Sequence, residues 1–242
     1  MYTLFNKKSR MIARKINEKY IVENFAVLSK LNSGTQKIGL QEYMVVPSNL
    51  SDYLHTIKRK AQIIGIKDIG YIIVRCGIRA GSRVVEGGVG SGSLTTALLY
   101  YTYPNGHVYT YEIRSDHAEF AKRNIERIEH NHWTLKIGDI TRDVTERDVD
   151  AFLVDIPEPW NAISSAEHSL KVGGCFMAYV PTYNQMEKIY KIMKTKGFID
   201  MEATSLLKID MHIGDLGTRP ENIEVPHTGF LVFGRKARLQ TF

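Results

Sequence analysis

The run Val84-Val85-Glu86-Gly87-Gly88-Val89-Gly90-Ser91-Gly92-Ser93-Leu94-Thr95 carries the residue types that hold a nucleotide-like cofactor. An apolar segment of strand length ends in a carboxylate, alternating glycines follow, and a helical pattern of Leu94, Ala97 and Leu98 starts at Ser93. Gly88, Gly90 and Gly92 therefore form a strand-to-helix turn whose bare backbone lets a ligand approach closely. Spacing narrows the ligand. A dinucleotide fingerprint counted from Gly88 requires a third glycine where this chain has Ser93. A pyrophosphate is held by uncovered amides at a helix N-terminus, whereas a carboxylate at the turn suits a cation.

The pattern acidic-x-Gly-x-Gly-x-Gly resembles the turn of S-adenosylmethionine-dependent methyltransferases with a Rossmann-like sheet. S-adenosylmethionine has no phosphate and carries an ammonium and a sulfonium, which fits Glu86. The segment Gly106 to Glu112 reads as the next strand and ends in a second carboxylate, 26 positions after Glu86, where a ribose diol needs an acceptor. A third short strand, Trp133 to Ile137, leads to Gly138-Asp139, an acid within reach of an adenine amino group. One strand-end carboxylate is ordinarily just solvated. Three in register behind a glycine turn favour a binding site.

A fourth strand, Val149 to Val154, delivers Asp155 to the carboxyl edge of the sheet, where open α/β sheets bind ligands. Pro157 and Pro159 in Ile156-Pro157-Glu158-Pro159-Trp160 end the ladder and stiffen the loop. This acid-x-Pro-x-Pro-Trp run is similar in kind to the Asp/Asn-Pro-Pro-aromatic loop of methyltransferases that act on nucleobase nitrogen. Positive charge develops on a base as a methyl reaches its ring nitrogen, and a nearby carboxylate stabilises it or accepts a proton from the exocyclic amine. Trp160 is available either to stack on the base or to pack in the core.

At 242 residues, with 43% apolar and 24% charged residues, the chain has the makings of an ordinary globular protein with a full core. The net charge of +6 is unevenly spread. Residues 1–60 hold eleven Lys and Arg against four acids, a local +7, which leaves the rest at −1. A basic appendage on a near-neutral domain is the footprint of a protein that docks a polyanion, although solvated surface lysines give the same count. Cys76 and Cys175, far apart and without a C-x-x-C, suggest buried free thiols and neither a disulfide framework nor a zinc site. The first residues lack the apolar core of a signal peptide and no stretch reaches membrane-spanning length, so a cytoplasmic location is expected.

These residues need a scaffold. Short apolar runs at 20–22, 25–28 and 43–46 predict β-strands in a small basic domain over residues 1–55. Asp52 to Lys60 reads as a helical connector and Lys67 to Gly77 as an amphipathic segment. Beyond it, over the domain 56–242, strands near 83–86, 107–112, 133–137, 149–154 and 174–180 alternate with helices near 93–102, 116–129, 161–170 and 184–196. That rhythm predicts an α/β fold with a mainly parallel sheet covered on both faces. Two closing runs, 199–210 and 228–235, with no helix between them, predict an antiparallel pair at its end.

Taken together the chain resembles the tRNA adenine-58 N1-methyltransferase family, catalytic-subunit type, above all its archaeal members. The resemblance runs through Pro47 to Tyr53, Lys58 to Ile64, Glu86 to Thr95, Tyr111 to Glu119, Asp155 to Trp160, Arg219-Pro220 and His227-Thr228-Gly229-Phe230-Leu231. It implies a Rossmann-like class I methyltransferase fold with a small N-terminal β-domain, a homotetrameric assembly, and methylation of adenine N1 in the T-loop of tRNA, at position 58 and in some archaeal relatives 57. By that pattern Ser91, Gly92, Ser93, Leu94, Glu112, His117, Asp139 with Ile140, and Asp155 line the cofactor and reaction site, Ile64 lies against the cofactor, and Trp160, Arg219 and His227 face the substrate. His227 also has a purely structural reading. The chain departs from the pattern at Gly65-Ile66, where relatives have Tyr-Pro, and at Gly87 and Val89, where Ala and Thr are common. Two other readings stay open: methylation of a small-molecule or protein acceptor, and a non-catalytic tRNA-binding partner subunit, which the intact glycine turn disfavours.

Overall fold

Alternation of buried and exposed residues, as along Gly34–Ile38, makes strands that bury one face, and the described residues among the first 47 form six of them. The computed structural model describes residues 1–23, 25–60, 62–128, 130–215, 217–221 and 228–237. Strands β1 (Tyr2–Phe5), β2 (Arg10–Ile16), β3 (Lys19–Val22), β4 (Ala26–Leu28), β5 (Gly34–Ile38) and β6 (Gln41–Pro47) pair in the order β4-β3-β2-β1-β6-β5, every pair antiparallel. Leu4, Ala13, Val22, Tyr43 and Val45 fill its core. More strands form than the sequence suggests, because Arg10, Arg14 and Lys15 interrupt the apolar alternation of β2 while the neighbours on either side still pair with it.

Helix α1 (Leu50–Thr56) follows, started by a capping box in which the Asp52 amide donates to Asn49 Oδ1 at 3.1 Å and the Asn49 amide donates to Asp52 Oδ2 at 3.0 Å. The connector was expected to stay helical to Lys60 but ends at Thr56. Arg127 donates to the Thr56 carbonyl at 3.0 Å and to its hydroxyl at 2.6 Å. Asn124 then holds both backbone groups of Lys58, at 3.3 and 2.8 Å, so the chain continues as an extended strap.

The second layer starts with the amphipathic helix α2 (Ile66–Arg75) and alternates thereafter: β7 (Arg83–Gly87), α3 (Ser93–Thr102), β8 (His107–Glu112), α4 (Ser115–Ile125), β9 (Trp133–Ile137), β10 (Val149–Val154), α5 (Ile163–Ser169), β11 (Leu170–Val180) and α6 (Tyr183–Thr195). Strands β12 (Ile199–Thr204), β13 (Met211–Gly214), β14 (Gly217–Pro220) and β15 (Phe230–Arg235) end the chain. The large sheet runs β12-β15-β11-β10-β7-β8-β9; its five strands from β11 to β9 are parallel, and β15 lies antiparallel between β11 and β12. One face is packed by Ile69, Ile72, Leu94, Leu98 and Ile125 from α2, α3 and α4. The other takes Ile163, Ala166, Ile189 and Met193 from α5 and α6. The chain adds strands outward in opposite senses from β7 and from β10, which are parallel neighbours, and this switch opens a crevice at their carboxyl ends.

The doubly covered parallel sheet and its antiparallel closing pair match the sequence expectation. The run 199–210 does not stay a strand: it ends at Thr204, and a separate exposed hairpin, β13–β14, precedes β15. Both cysteines are free and buried, and burial pushes the Cys76 thiol up. No helix among the described residues is long and apolar enough to cross a membrane.

The joint between the two sheets rests on Arg127, whose side chain is 4% exposed and pairs with Glu23 at 2.8 Å as well as with Thr56. Removing it leaves Glu23 and the Thr56 carbonyl without their partner. Arg127→Ala is expected to destabilise the protein by about 3 kcal/mol in urea unfolding, and Arg127→Lys to recover only part of this, because an ammonium cannot span the same fork. A loss below about 0.5 kcal/mol would show that the joint is held elsewhere.

Candidate active site

Four of the five parallel strands, β7, β8, β9 and β10, end their carboxyl edge at or near a residue singled out from the sequence. Between β7 and α3 the turn takes left-handed φ at Gly88 (83°), Gly90 (52°) and Gly92 (84°). At Gly88 the need for glycine is also steric, since a Cβ there would run into the carbonyl oxygen of Asp155. Gly87, a departure from the family pattern, has a matching cause: the Ile140 side chain leans into the space a Cβ would take.

A cleft of about 490 Å³ opens over this edge. Gly88, Glu112, Asp139, Ile140 and Asp155 all wall it, joined by the loop 156–158. Glu112, 6% exposed, accepts the Arg114 amide on Oε1 at 3.0 Å, and its Oε2 accepts no hydrogen bond among the described residues. It is a buried acid with one oxygen to spare. Asp139 is committed further: Oδ1 accepts the Thr141 hydroxyl at 2.7 Å and amide at 2.9 Å, and Arg142 lies 3.4 Å from Oδ2. The Thr141 hydrogen bonds, and after them Arg142, hold its carboxyl below the usual range. Ile140 is 3% exposed and supplies an apolar wall beside it.

Asp155 stands at the end of β10, its amide donating to the Gly87 carbonyl at 2.9 Å. The carboxyl is open to the cleft, yet protein atoms crowd it enough that desolvation raises it to about 6. A carboxylate with this environment is poised to exchange protons near neutral pH.

Glu86 lies differently from its sequence reading. It is 1% exposed and beneath the turn, where its Oε2 accepts Thr95 Oγ1 and Thr110 Oγ1, both at 2.8 Å, and Oε1 accepts Thr95 Oγ1 at 3.0 Å. Its charge is spent on hydroxyls of α3 and β8, away from the cleft. Burial raises it to about 7 against the pull of those two hydroxyls.

Other expected residues support the turn without walling the cleft. Ser93 Oγ donates to the Ile64 carbonyl at 3.1 Å, Ser91 Oγ accepts the Lys60 amide at 3.1 Å, and Asn124 donates to the Ser91 carbonyl at 2.9 Å. Ile64 and Leu94 are buried in the core on that side. The described residues 57–60 and 62–65 are thereby sewn, as a strap, to the glycine turn. His117, 7% exposed, has Nδ1 at 2.9 Å from an Arg114 nitrogen. Trp160 packs against the core, with Lys188 Nζ 3.6 Å from the centre of its ring. Arg219 is on the exposed hairpin β13–β14, outside the cleft walls, because among the described residues this ribbon pairs only with itself. His227 falls outside the described residues. Sequence reasoning missed Tyr179, Asp68 and Thr228, which meet near Asp155; the buried acid within the amphipathic α2 pattern was the available signal.

This sheet order, the acid-and-glycine turn and the acids at successive strand ends define a class I S-adenosylmethionine-dependent methyltransferase. A solved structure from Thermotoga maritima, described as a SAM-dependent O-methyltransferase, superposes with a TM-score of 0.83 at 27% identity over 100% of this chain and 94% of that one. The tRNA (m1A58) methyltransferase TrmI of Aquifex aeolicus shares the fold, with a TM-score of 0.76 at 22% identity over 98% and 96%. The family model for the tRNA methyltransferase complex GCD14 subunit matches residues 50–216, and the chain belongs to that family. The tRNA (adenine(57)-N(1)/adenine(58)-N(1))-methyltransferase TrmI of Methanocaldococcus jannaschii is 33% identical over 220 residues, 80% of this chain and 78% of that protein.

The buried Glu86 makes stability depend on pH. Its folded value lies above its unfolded one, so its contribution is complete below about 4.5 and is lost as pH rises through about 7. Glu86→Gln should remove a fall of about 3 kcal/mol between pH 4.5 and 8 in urea unfolding of the ligand-free protein. An unchanged pH profile would mean that Glu86 is charged in the folded state at no cost.

Proposed function

We propose that this chain transfers the methyl group of S-adenosylmethionine to N1 of an adenine in the T-loop of tRNA, at position 58 and, as the M. jannaschii relative's name includes it, at 57. The observation that carries the reading is Asp155, an acid raised toward neutrality on a rigid loop beside Gly88. The cofactor fits the residues present: the cleft has bare backbone at Gly88 and Gly138, an apolar wall at Ile140, and a spare carboxylate oxygen at Glu112. When bound, it supplies an electrophilic methyl on a sulfonium. Glu112 accepts hydrogen bonds from the ribose diol, and Asp139 with Ile140 holds the adenine end. Asp155 accepts a hydrogen bond from the exocyclic amine of the target base, and it takes up the proton released as positive charge spreads over the methylated ring. The target base must leave its stack to reach this cleft.

Residues 1–55 serve as a basic module that draws the tRNA backbone toward the cleft, in keeping with the local charge of +7 over residues 1–60. A homotetramer in the cytoplasm is the assembly this reading carries. Its support is the hairpin β13–β14, which holds Met211 at 52% and Ile213 at 79% exposure and so offers apolar surface for a neighbouring copy to cover.

Asp155→Ala is expected to lower methyl incorporation into an unmodified tRNA transcript at least about 100-fold. S-adenosylmethionine affinity, followed by calorimetric titration, should stay within a few-fold. Undiminished turnover would remove Asp155 from the reaction.

A further inference from the structure

Two thiols that stand 99 positions apart in the chain meet where α2 ends. By strand alternation Cys175, Met177 and Tyr179 of β11 turn to the same face as Leu231 and Phe233 of the neighbouring β15, and α2 lies across that face. Its course is set by Tyr71, whose ring centre is 5.7 Å from that of Phe233, and by Arg75, which lies 5.7 Å from the same ring and pairs with Asp200 at 3.1 Å and Glu202 at 2.7 Å. The next residue, Cys76, is held on the last turn by its amide, which donates to the Ile72 carbonyl at 2.9 Å. Its thiol lies within hydrogen-bond reach of the Cys175 sulfur, which itself donates only weakly, to the Phe176 carbonyl at 3.5 Å.

Both cysteines wall a cavity of about 360 Å³ on the amino side of the large sheet, away from the edge that carries Asp155. Cys76 is 8% and Cys175 3% exposed, so this cavity is the route by which a reagent reaches them. Arg75, Arg79, Lys171 and Arg235 share its wall with Asp150 and Asp200, which leaves it basic. Small disulfides of the glutathione kind carry carboxylates and suit such a wall. Tetrahedral zinc takes four ligands. Among the described residues no third His, Cys, Asp or Glu joins the two sulfurs as a ligand group, so the chemistry of the pair is that of a dithiol.

We propose that Cys76 and Cys175 are an oxidation site that closes to an intramolecular disulfide and pins the end of α2 to β11. With glutathione disulfide the step balances. One protein sulfur, as thiolate, attacks the oxidant and releases a first glutathione thiolate; the second protein sulfur displaces the other glutathione from the mixed disulfide. The S–S bond of the oxidant breaks, one forms in the protein, and the two thiol protons end on the two glutathiones released. Burial pushes the Cys76 thiol up, which keeps its thiolate scarce and the exchange slow. In a reducing compartment the pair rests as a dithiol and closes when small disulfides accumulate. The link closes a loop of about 100 residues. It fastens, at the far end, the helix whose first turn bonds Thr228 through Lys67 and Asp68. None of this depends on which acceptor is methylated.

The test incubates the full-length protein with glutathione disulfide or with dithiothreitol, counts its thiols in urea, and maps its peptides without reduction. Expected after oxidation are the loss of both thiols, a mass lower by two hydrogens and a peptide that joins Cys76 to Cys175 within one chain. The thermal midpoint should rise by about 5–10 °C, and dithiothreitol should reverse the rise. Cys76→Ser and Cys175→Ser should each show the same midpoint in either reagent. Two free thiols after prolonged incubation, glutathione adducts on the wild type, or a link between two chains would overturn the pair as an oxidation site. A closed link with an unchanged midpoint would overturn the pinning of α2.

Discussion

The buried carboxylate of Glu86 is the constraint on which the site's geometry depends. A charge-bearing group with 1% exposure at the end of the central strand is tolerable only if its oxygens are satisfied, and Thr95 and Thr110 do so from α3 and β8. The hydrogen bonds tie three elements into one corner. That corner fixes where the glycine turn leaves β7 and where α3 begins, and therefore how close Gly88 comes to Asp155. A residue type that reads as a ligand for the cofactor is here first of all the brace under its cradle.

From this corner the rest follows by contact. Lys60 and Ile64 of the strap are bonded to Ser91 and Ser93, Asn124 joins Lys58 to α4, and Arg127 joins the end of α1 to Glu23 of the N-terminal part. The basic module is thus coupled through a few buried polar groups to the turn. Where the strap runs into α2, Lys67 and Asp68 bond Thr228, whose neighbour Gly229 packs on Tyr179. The cleft itself is walled by Gly88, Glu112, Asp139 and Asp155.

Local chemistry was the part of the architecture legible in the sequence. Strand-to-helix alternation after residue 83, the glycine turn, and the acids Glu112, Asp139 and Asp155 are short-range patterns, and the structure gathers those acids at one cleft. What escaped depends on partners distant in the chain. The orientation of Glu86 is decided by hydroxyls on two other elements, and the fate of Trp160 by Lys188 on α6. Arg219 sits on a four-residue strand whose only signal is a short polar run, so its separation from the cleft was invisible. Strand β2 was hidden by Arg10, Arg14 and Lys15 within it, and the end of α1 by the distant Arg127.

The central claim is that this crevice methylates an adenine of tRNA at N1. Its most direct test is incubation of the protein with isotopically labelled S-adenosylmethionine and an unmodified tRNA transcript, followed by nuclease mapping and nucleoside mass spectrometry. The account predicts label as 1-methyladenosine at a T-loop adenine, abolished when that adenine is replaced by guanosine. Label on another base, on a non-RNA acceptor, or absent from tRNA altogether would contradict it.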